Sequence, residues 1–255
     1  MFKDGNLTDM KILVNGANGK LGKEIINILL EKGQFGGAVD KNPEGVFEYP
    51  VFSSLRDFDG EADMIIDASH HSGTKELVDY AVEKKLPLVI ATTGQTEEEY
   101  QMIEDASKKI PLFNSANMSL GIAALIKAAK TVAQFFPDAD IEIVEAHHNK
   151  KVDAPSGTAL LIGNELIKDI RPDSKLVCGR SGYGKREKNE IGISAVRMGA
   201  VVGEHTVYIC TDAQTITLTH SAHNRRMLAE GTVMAAEFLF GKPIGRYNMN
   251  DLTKE

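Results

Sequence analysis

Three glycines, Gly16, Gly19 and Gly22 in NGANGKLGKE, constrain this chain more than any other feature because of where they stand. KILVN at 11–15 reads as a strand, and Leu21, Ile25, Ile28 and Leu29 then repeat at the spacing of one helix face. A glycine turn between a strand and a helix opens a parallel βαβ sheet. One glycine makes the tight turn, the next lets the backbone approach a pyrophosphate, and the third allows close helix–sheet packing. The pyrophosphate would rest on the helix N-terminus, where unpaired N–H groups favour negative charge. Asp40 lies 18 residues past Gly22, near the roughly 20 expected of an acid that accepts from a ribose 2′-OH. Lys41 beside it would suit a 2′-phosphate, so NADH and NADPH both stay open. A glycine triplet alone is a weak pattern, and its strand–turn–helix context gives it meaning.

The alternation continues to about residue 115, with further candidate strands at 36–40, 63–68, 87–92 and 111–114. A long helix is expected from about Leu120 to Phe136, with Ile122, Leu125, Ile126, Ala129, Ala133 and Phe136 on one face. The pattern then changes. Strand-like IEIVEAH (141–147) leads to a helix holding Ile162, Leu166 and Ile170. A glycine- and lysine-rich loop (179–190) and period-two stretches at 191–198, 205–211 and 215–220 follow. The expected fold class is α/β, a Rossmann-type doubly wound parallel sheet over 1–118. A second α+β domain over 119–225 would carry an open mixed, mostly antiparallel sheet. The last helical segment, about Arg226 to Phe240, fits either domain and is assigned, within 226–255, to the first.

The fifteen residues EAHHNKKVDAPSGTA at 145–159 bring Glu145, His147, His148, Lys151 and Asp153 together just before an apolar-periodic helix. Adjacent histidines on a strand point to opposite faces, so at most one lines a given pocket unless the strand ends there. A zinc site is disfavoured, since adjacent residues chelate poorly and no His or Cys partner lies at a metal spacing. His147 suits general acid–base work, and Lys151 and His148 supply positive charge for a carboxylate. Pro155 suits the first turn of the coming helix, with Asp153 or Ser156 as its N-cap. The N–H groups of Gly157 and Thr158 would form an anion cradle. The pair His70–His71 has no such surroundings.

This segment resembles the signature of the dihydrodipicolinate reductase (4-hydroxy-tetrahydrodipicolinate reductase) family of lysine synthesis. The resemblance spans nearly the whole chain: NGANGKLG near the start, ATTG at 91–94, SANMSLG at 115–121, GRSGYGKRE at 179–187 and VRMGAVVGEHTV at 196–207. It implies a nicotinamide-dependent oxidoreductase acting on a small cyclic dicarboxylate, with hydride delivered to C4 and a proton to C3. By it, His147 is the acid–base residue, and Lys151 is a proton donor and carboxylate contact. His148, Gly157 and Thr158 hold the substrate's carboxylates. Gly16, Ala17, Asn18, Gly19, Lys20, Leu21, Asp40, Lys41, Ala91, Thr92, Thr93, Ser115, Ala116, Asn117 and Met118 contact the dinucleotide. It also implies a homotetramer assembled through the second-domain sheets. Three positions depart from the commonest pattern. Ala91 replaces a glycine, a mild change unless that position needs positive φ. Met118 stands where an aromatic is common. Asp40–Lys41 replaces the Glu–Arg pair of some members, and lysine meets a phosphate without arginine's fork. Use of both NADH and NADPH is therefore expected.

A net charge of −7 argues against a nucleic-acid binder, and attraction for an anion must come from a local basic pocket. The apolar runs are far too short for a membrane span, and MFKDGNLTDM reads as a polar lead-in without a leader's apolar core. Two cysteines, Cys178 and Cys210, give no disulfide framework and fit a cytoplasmic setting. A semialdehyde or amino-acid dehydrogenase would need one of them as nucleophile, and neither has a histidine nearby in sequence. A nucleotide-sensing binding protein would have lost His147 or Lys151. Arg180, Lys185, Arg186 and Lys188 form either a solvated loop or a source of charge for the substrate. Arg197 is either the partner of a buried carboxylate or an interface residue.

Overall fold

The protein is described by a computed structural model that covers residues 7–45 and 48–254; the first six residues of the expected polar lead-in lie outside these. In chain order the elements begin with β1 (Ile12–Asn15), α1 (Lys20–Lys32), β2 (Phe35–Val39), β3 (Val51–Phe52), β4 (Met64–Asp67), α2 (Thr74–Lys84), β5 (Leu88–Ile90), α3 (Glu97–Ser107) and β6 (Pro111–Asn114). They continue with α4 (Leu120–Phe135), β7 (Asp140–His147), α5 (Gly157–Asp169), β8 (Lys175–Cys178), β9 (Glu190–Arg197), β10 (Gly203–Cys210) and β11 (Thr215–Ala222). The last are α6 (Arg226–Leu239), β12 (Gly245–Tyr247) and α7 (Met249–Leu252). Two compact units divide the chain, one of Met1–Ser119 with Arg226–Glu255 and the other of Leu120–Arg225.

In the first unit a parallel seven-stranded sheet runs β12-β6-β5-β4-β1-β2-β3. Its central strands are apolar on both faces, as a sheet covered by helices requires. Leu13, Ile65, Leu88 and Leu112 pack with Leu77, Ala81 and Ile103 of α2 and α3, while α1 and α6 lie side by side and α6 packs on β5 and β6. The glycine turn follows steric need. Gly16 has φ +83°, and a Cβ there would lie 2.6 Å from the Ala68 carbonyl; a Cβ on Gly22 would lie 2.1 Å from the Gly16 oxygen. The helix can therefore start this close to the turn only with hydrogen at both positions.

In the second unit, β11-β10-β7-β9-β8 form a mixed sheet. The expectation of a mostly antiparallel sheet needs correction, because β7 pairs with β9 and β8 with β9 in parallel, and only the two pairings of β10 are antiparallel. Two crossovers cause this: α5 returns the chain to lay β8 in the direction of β7, and the 179–189 connection returns it again to lay β9 between them in the same direction. Ile141, Ile143, Ile191, Ile193, Val207 and Ile209 face α4 and α5 and form the core. Among the described residues no helix is long and apolar enough to cross a membrane.

Along this same face the core turns polar. Glu145 pairs in register with His205 of β10, and His205 with His220 of β11. Glu145 is fully buried and His205 nearly so. Burial, with the neighbouring charge of His147, pushes the His205 pKa down to about 4, against the opposing pull of Glu145; His220 and Lys151 lower it slightly further. An unfolded histidine titrates near 6.5. Above that pH both states are neutral and His205 contributes nothing. Between about 6.5 and 4 the unfolded chain takes up a proton that the folded one refuses, so stability falls with falling pH, by up to about 3 kcal/mol. His205→Asn should therefore flatten the dependence of Tm on pH between 7 and 4 relative to the unsubstituted protein; an unchanged slope would contradict this account.

Candidate active site

The dinucleotide residues named from the sequence gather at the carboxyl ends of parallel strands, where an open α/β sheet binds its ligand. Gly16, Ala17, Asn18, Gly19, Lys20 and Leu21 form the turn from β1 into α1. Gly19 is the N-cap and brings no side chain to the first turn, which leaves the initial N–H groups for an outside acceptor. Asp40 directly follows β2, and its carboxylate accepts from the Asn18 and Asn42 N–H groups, each at 2.9 Å. Each oxygen retains capacity for one further donor. Lys41 is exposed beside it. A cavity of about 290 Å³ opens here, lined by Gly16, Gly19, Asp40, Lys41, Ala68 and Ser69 among others. Asn18 Oδ1 is buried without a partner in the same turn. A turn that tolerates no Cβ, a bare helix start and an acid at the second strand end fit a dinucleotide.

Ala91, Thr92 and Thr93 follow β5. Ala91 is buried and has no positive φ, which falls instead on Gly94 at +88°, so alanine is no obstacle there. Thr92 donates to Asp67 at 2.6 Å, and Ser69 and Asn15 donate to the other oxygen of the same carboxylate. Burial raises the Asp67 pKa although these bonds oppose it. Asp67 was not anticipated; an acid closing the apolar run MIID was its only signal. Ser115, Ala116, Asn117 and Met118 form the segment after β6. Ser115 donates to the Asn117 carbonyl, Asn117 Oδ1 accepts from the Ser119 N–H at 2.8 Å, and Met118 is buried. His70 and His71 stack at 4.3 Å between centroids, and His71 bonds Glu99 at 2.9 Å.

In the second unit β7 ends at His147, so the pleat no longer dictates where His148 points. Glu145, two residues earlier, shares the face of His147. His147 Nδ1 lies 2.6 Å from Glu145 Oε2. Arg197 on β9 donates to both oxygens, at 2.8 and 2.7 Å, and the Ser156 N–H donates to Oε1 at 3.0 Å. Burial would raise the Glu145 pKa, but the bonds from Arg197, His147 and Ser156 outweigh it and hold the group below its ordinary value. Arg197 is thus the partner of a buried carboxylate. Ser156 is the N-cap of α5, accepting from the Ala159 N–H at 3.2 Å. Pro155 therefore precedes the cap instead of occupying the first turn, because the serine hydroxyl satisfies the helix end one residue later. Gly157 and Thr158 are the first two helical residues, and a Cβ at Gly157 would meet nothing within 4 Å.

Lys151 pairs with Asp153 at 2.7 Å, and its N–H donates to the His148 carbonyl, closing the turn between them. His205 escaped the sequence reading. Its ring lies 5.2 Å from that of His147, edge to face, and its Nε2 is 3.2 Å from Ser156 Oγ; its inward position in the period-two run GEHTVYI was the available signal. In the basic loop, Arg180 pairs with Glu190, Arg186 with Asp140 and Glu142, and Lys188 with Asp138, the pattern of a tied-down surface. Cys178 ends the edge strand β8, two strands from β7, and Cys210 ends β10; both are free thiols.

Comparison with known proteins finds relatives over nearly the whole chain. Models of the dihydrodipicolinate reductase N-terminus and C-terminus match residues 10–118 and 121–253. A 4-hydroxy-tetrahydrodipicolinate reductase of Caldanaerobacter subterraneus subsp. tengcongensis is 45% identical over 249 residues, covering 96% of this chain and 99% of its own. One from Clostridium tetani is 41% identical over 244 residues, covering 94% and 96%. Among solved structures, a dipicolinate-bound dihydrodipicolinate reductase from Paenisporosarcina sp. TG-14 shares the fold, with TM-score 0.80 at 22% identity over 95% of this chain and 99% of that one. The chain belongs to the dihydrodipicolinate reductase family of nicotinamide-dependent oxidoreductases.

Proposed function

We propose that this protein reduces 4-hydroxy-tetrahydrodipicolinate to tetrahydrodipicolinate in the diaminopimelate route to lysine, with NADPH or NADH. The observation that carries this reading is the buried Glu145 carboxylate, which holds the His147 ring on one oxygen and the start of α5 on the other. An acid–base group is thereby fixed beside a helix N-terminus suited to a carboxylate.

The substrate carries two carboxylates, and His148, Lys151 and the N–H groups of Gly157 and Thr158 are the groups that would hold them. Lys151 must exchange Asp153 for a substrate oxygen. Asp153 is half exposed, and a pair of that kind is worth no more than about 1 kcal/mol, so the exchange is easy. Clamping both carboxylates fixes the ring for reaction, an effect worth up to about 7–11 kcal/mol in good cases.

The elements of water leave from C4 and C3 of the substrate. The nicotinamide, when bound, supplies a hydride at C4. His147, with Lys151 beside it in sequence, delivers the proton that C3 of the resulting enamine takes up. In sum, substrate, hydride and one proton give product and water.

Gly16 through Leu21 are assigned to the pyrophosphate, Asp40 to ribose hydroxyls and Lys41 to a 2′-phosphate. Ala91, Thr92, Thr93, Ser115, Ala116, Asn117 and Met118 are assigned to the rest of the dinucleotide. Because Asp40 keeps acceptor capacity and Lys41 supplies a point charge, neither cofactor is excluded. Free Cys178 and Cys210 suit a reducing cytoplasm. We place the protein there as a homotetramer joined through its mixed sheets.

The direct test is oxidation of NADH and of NADPH, followed by absorbance, with substrate made in place from pyruvate and aspartate semialdehyde by the synthase that condenses them. Turnover with both cofactors is expected; cofactor binding without turnover would overturn the assignment. His147→Gln should lower kcat about 10²–10⁴-fold, and a loss below threefold would remove His147 from its role. Lys151→Ala should lower kcat and raise KM together, and an unchanged KM would argue against carboxylate contact.

A further inference from the structure

A carboxylate can only accept hydrogen bonds, and apart from the His147 ring, that of Glu145 is surrounded by groups that can only donate. Arg197 Nη2 and the Ser156 N–H converge on Oε1. Arg197 Nη1 and His147 Nδ1 converge on Oε2. Neither a guanidinium nor a backbone amide can accept, so the carboxylate has no way to turn or to offer a donor to the ring. The second observation lies on the far side of the imidazole. A Cβ at residue 203 would stand 3.1 Å from His147 Nε2, and glycine is the residue there. Nδ1 is anchored, while on the Nε2 side the glycine at 203 omits the side chain that would crowd the ring.

We propose that Glu145 is a positioning residue that fixes the tautomer of His147, keeping a proton on Nδ1 so that Nε2 is the atom exchanging one with substrate. Arg197 holds the carboxylate in place for that task. It also donates to the Asp153 carbonyl at 2.6 Å, which ties the Lys151–Asp153 loop to the same anchor. The inference rests on the reading of His147 as the acid–base residue. The charged and titratable groups around Glu145 and the His147 ring are Arg197 from β9, His205 from β10, His220 from β11, and Lys151 and Asp153 from the loop before α5. In Glu145→Gln none of these groups is itself altered, and Arg197 Nη1, which bonds the same oxygen as His147, loses its acceptor there.

That replacement has a definite consequence. In Glu145→Gln the single carbonyl oxygen is drawn to the corner where Arg197 Nη2 and the Ser156 N–H both donate. The amide NH₂ then faces His147 Nδ1, which must accept, and the proton of the neutral ring moves to Nε2. An analogous carboxylate-to-amide change in a serine-protease triad leaves geometry intact but lowers kcat about 10⁴-fold through the wrong tautomer.

The test is nitrogen-15 NMR of histidine-labelled protein, assigned with His147→Gln, together with kcat on the reductase substrate. The expected result is a neutral His147 protonated at Nδ1 in the unsubstituted protein and at Nε2 in Glu145→Gln, with kcat lowered about 10²–10⁴-fold. An Nδ1–H ring in Glu145→Gln, or a kcat within threefold, would overturn the proposal. Should Glu145→Gln fail to fold, Arg197→Lys retains the carboxylate and must retain the Nδ1–H ring with a smaller loss of kcat; an Nε2–H ring there would overturn it equally. Absence of turnover in the unsubstituted protein would instead defeat the reductase reading, and the NMR result would stand apart from it.

Discussion

Removing the Glu145 carboxylate from water costs several kcal/mol, and the fold can hold it only by surrounding it with donors. Those donors come from three directions in sequence: His147 two residues on, Ser156 at the cap of α5 and Arg197 across the sheet on β9. Satisfying one charge therefore fixes the end of β7, the entry of the helix and the pairing of β9 at once. His205, neutral at ordinary pH and set against both His147 and Ser156, closes the cluster without adding charge. Loss of any one partner leaves the others buried and unpaired, which is costlier than the pair itself is worth.

The nucleotide end rests on a different constraint. There the requirement is absence of side chain: Gly16 and Gly22 cannot carry a Cβ without striking backbone. The acids then act as braces. Asp40 ties the glycine turn to the end of β2 through Asn18 and Asn42, and Asp67 ties β1, β4 and the segment after β5 through Asn15, Ser69 and Thr92. These braces hold strand ends at fixed spacing, as a ligand lying across several strands requires.

Much of this was legible in the sequence because the signals are local. The apolar periods of α1 and α4, the βα turn and the residues of EAHHNKKVDAPSGTA could be read directly. What escaped depends on contacts far apart in the chain. Arg197 lies 52 residues from Glu145, so its role could be posed but not decided. His205 looks like any polar residue in a strand until register places it opposite Glu145. β3 and β12, of two and three residues, are too short to carry a period and exist only as additions to an existing edge. The parallel half of the mixed sheet follows from the α5 crossover and the returning 179–189 connection, and a run of strands alone does not reveal it.

The account stands on His147 and the start of α5 forming one site around Glu145. The most direct measurement is an NMR titration of the protein with dipicolinate, following the His147 ring and the Gly157 and Thr158 amides together. The account predicts that all three respond along one binding curve with a single Kd. Movement of the amides with the His147 ring unchanged, or a response confined to residues elsewhere, would contradict it.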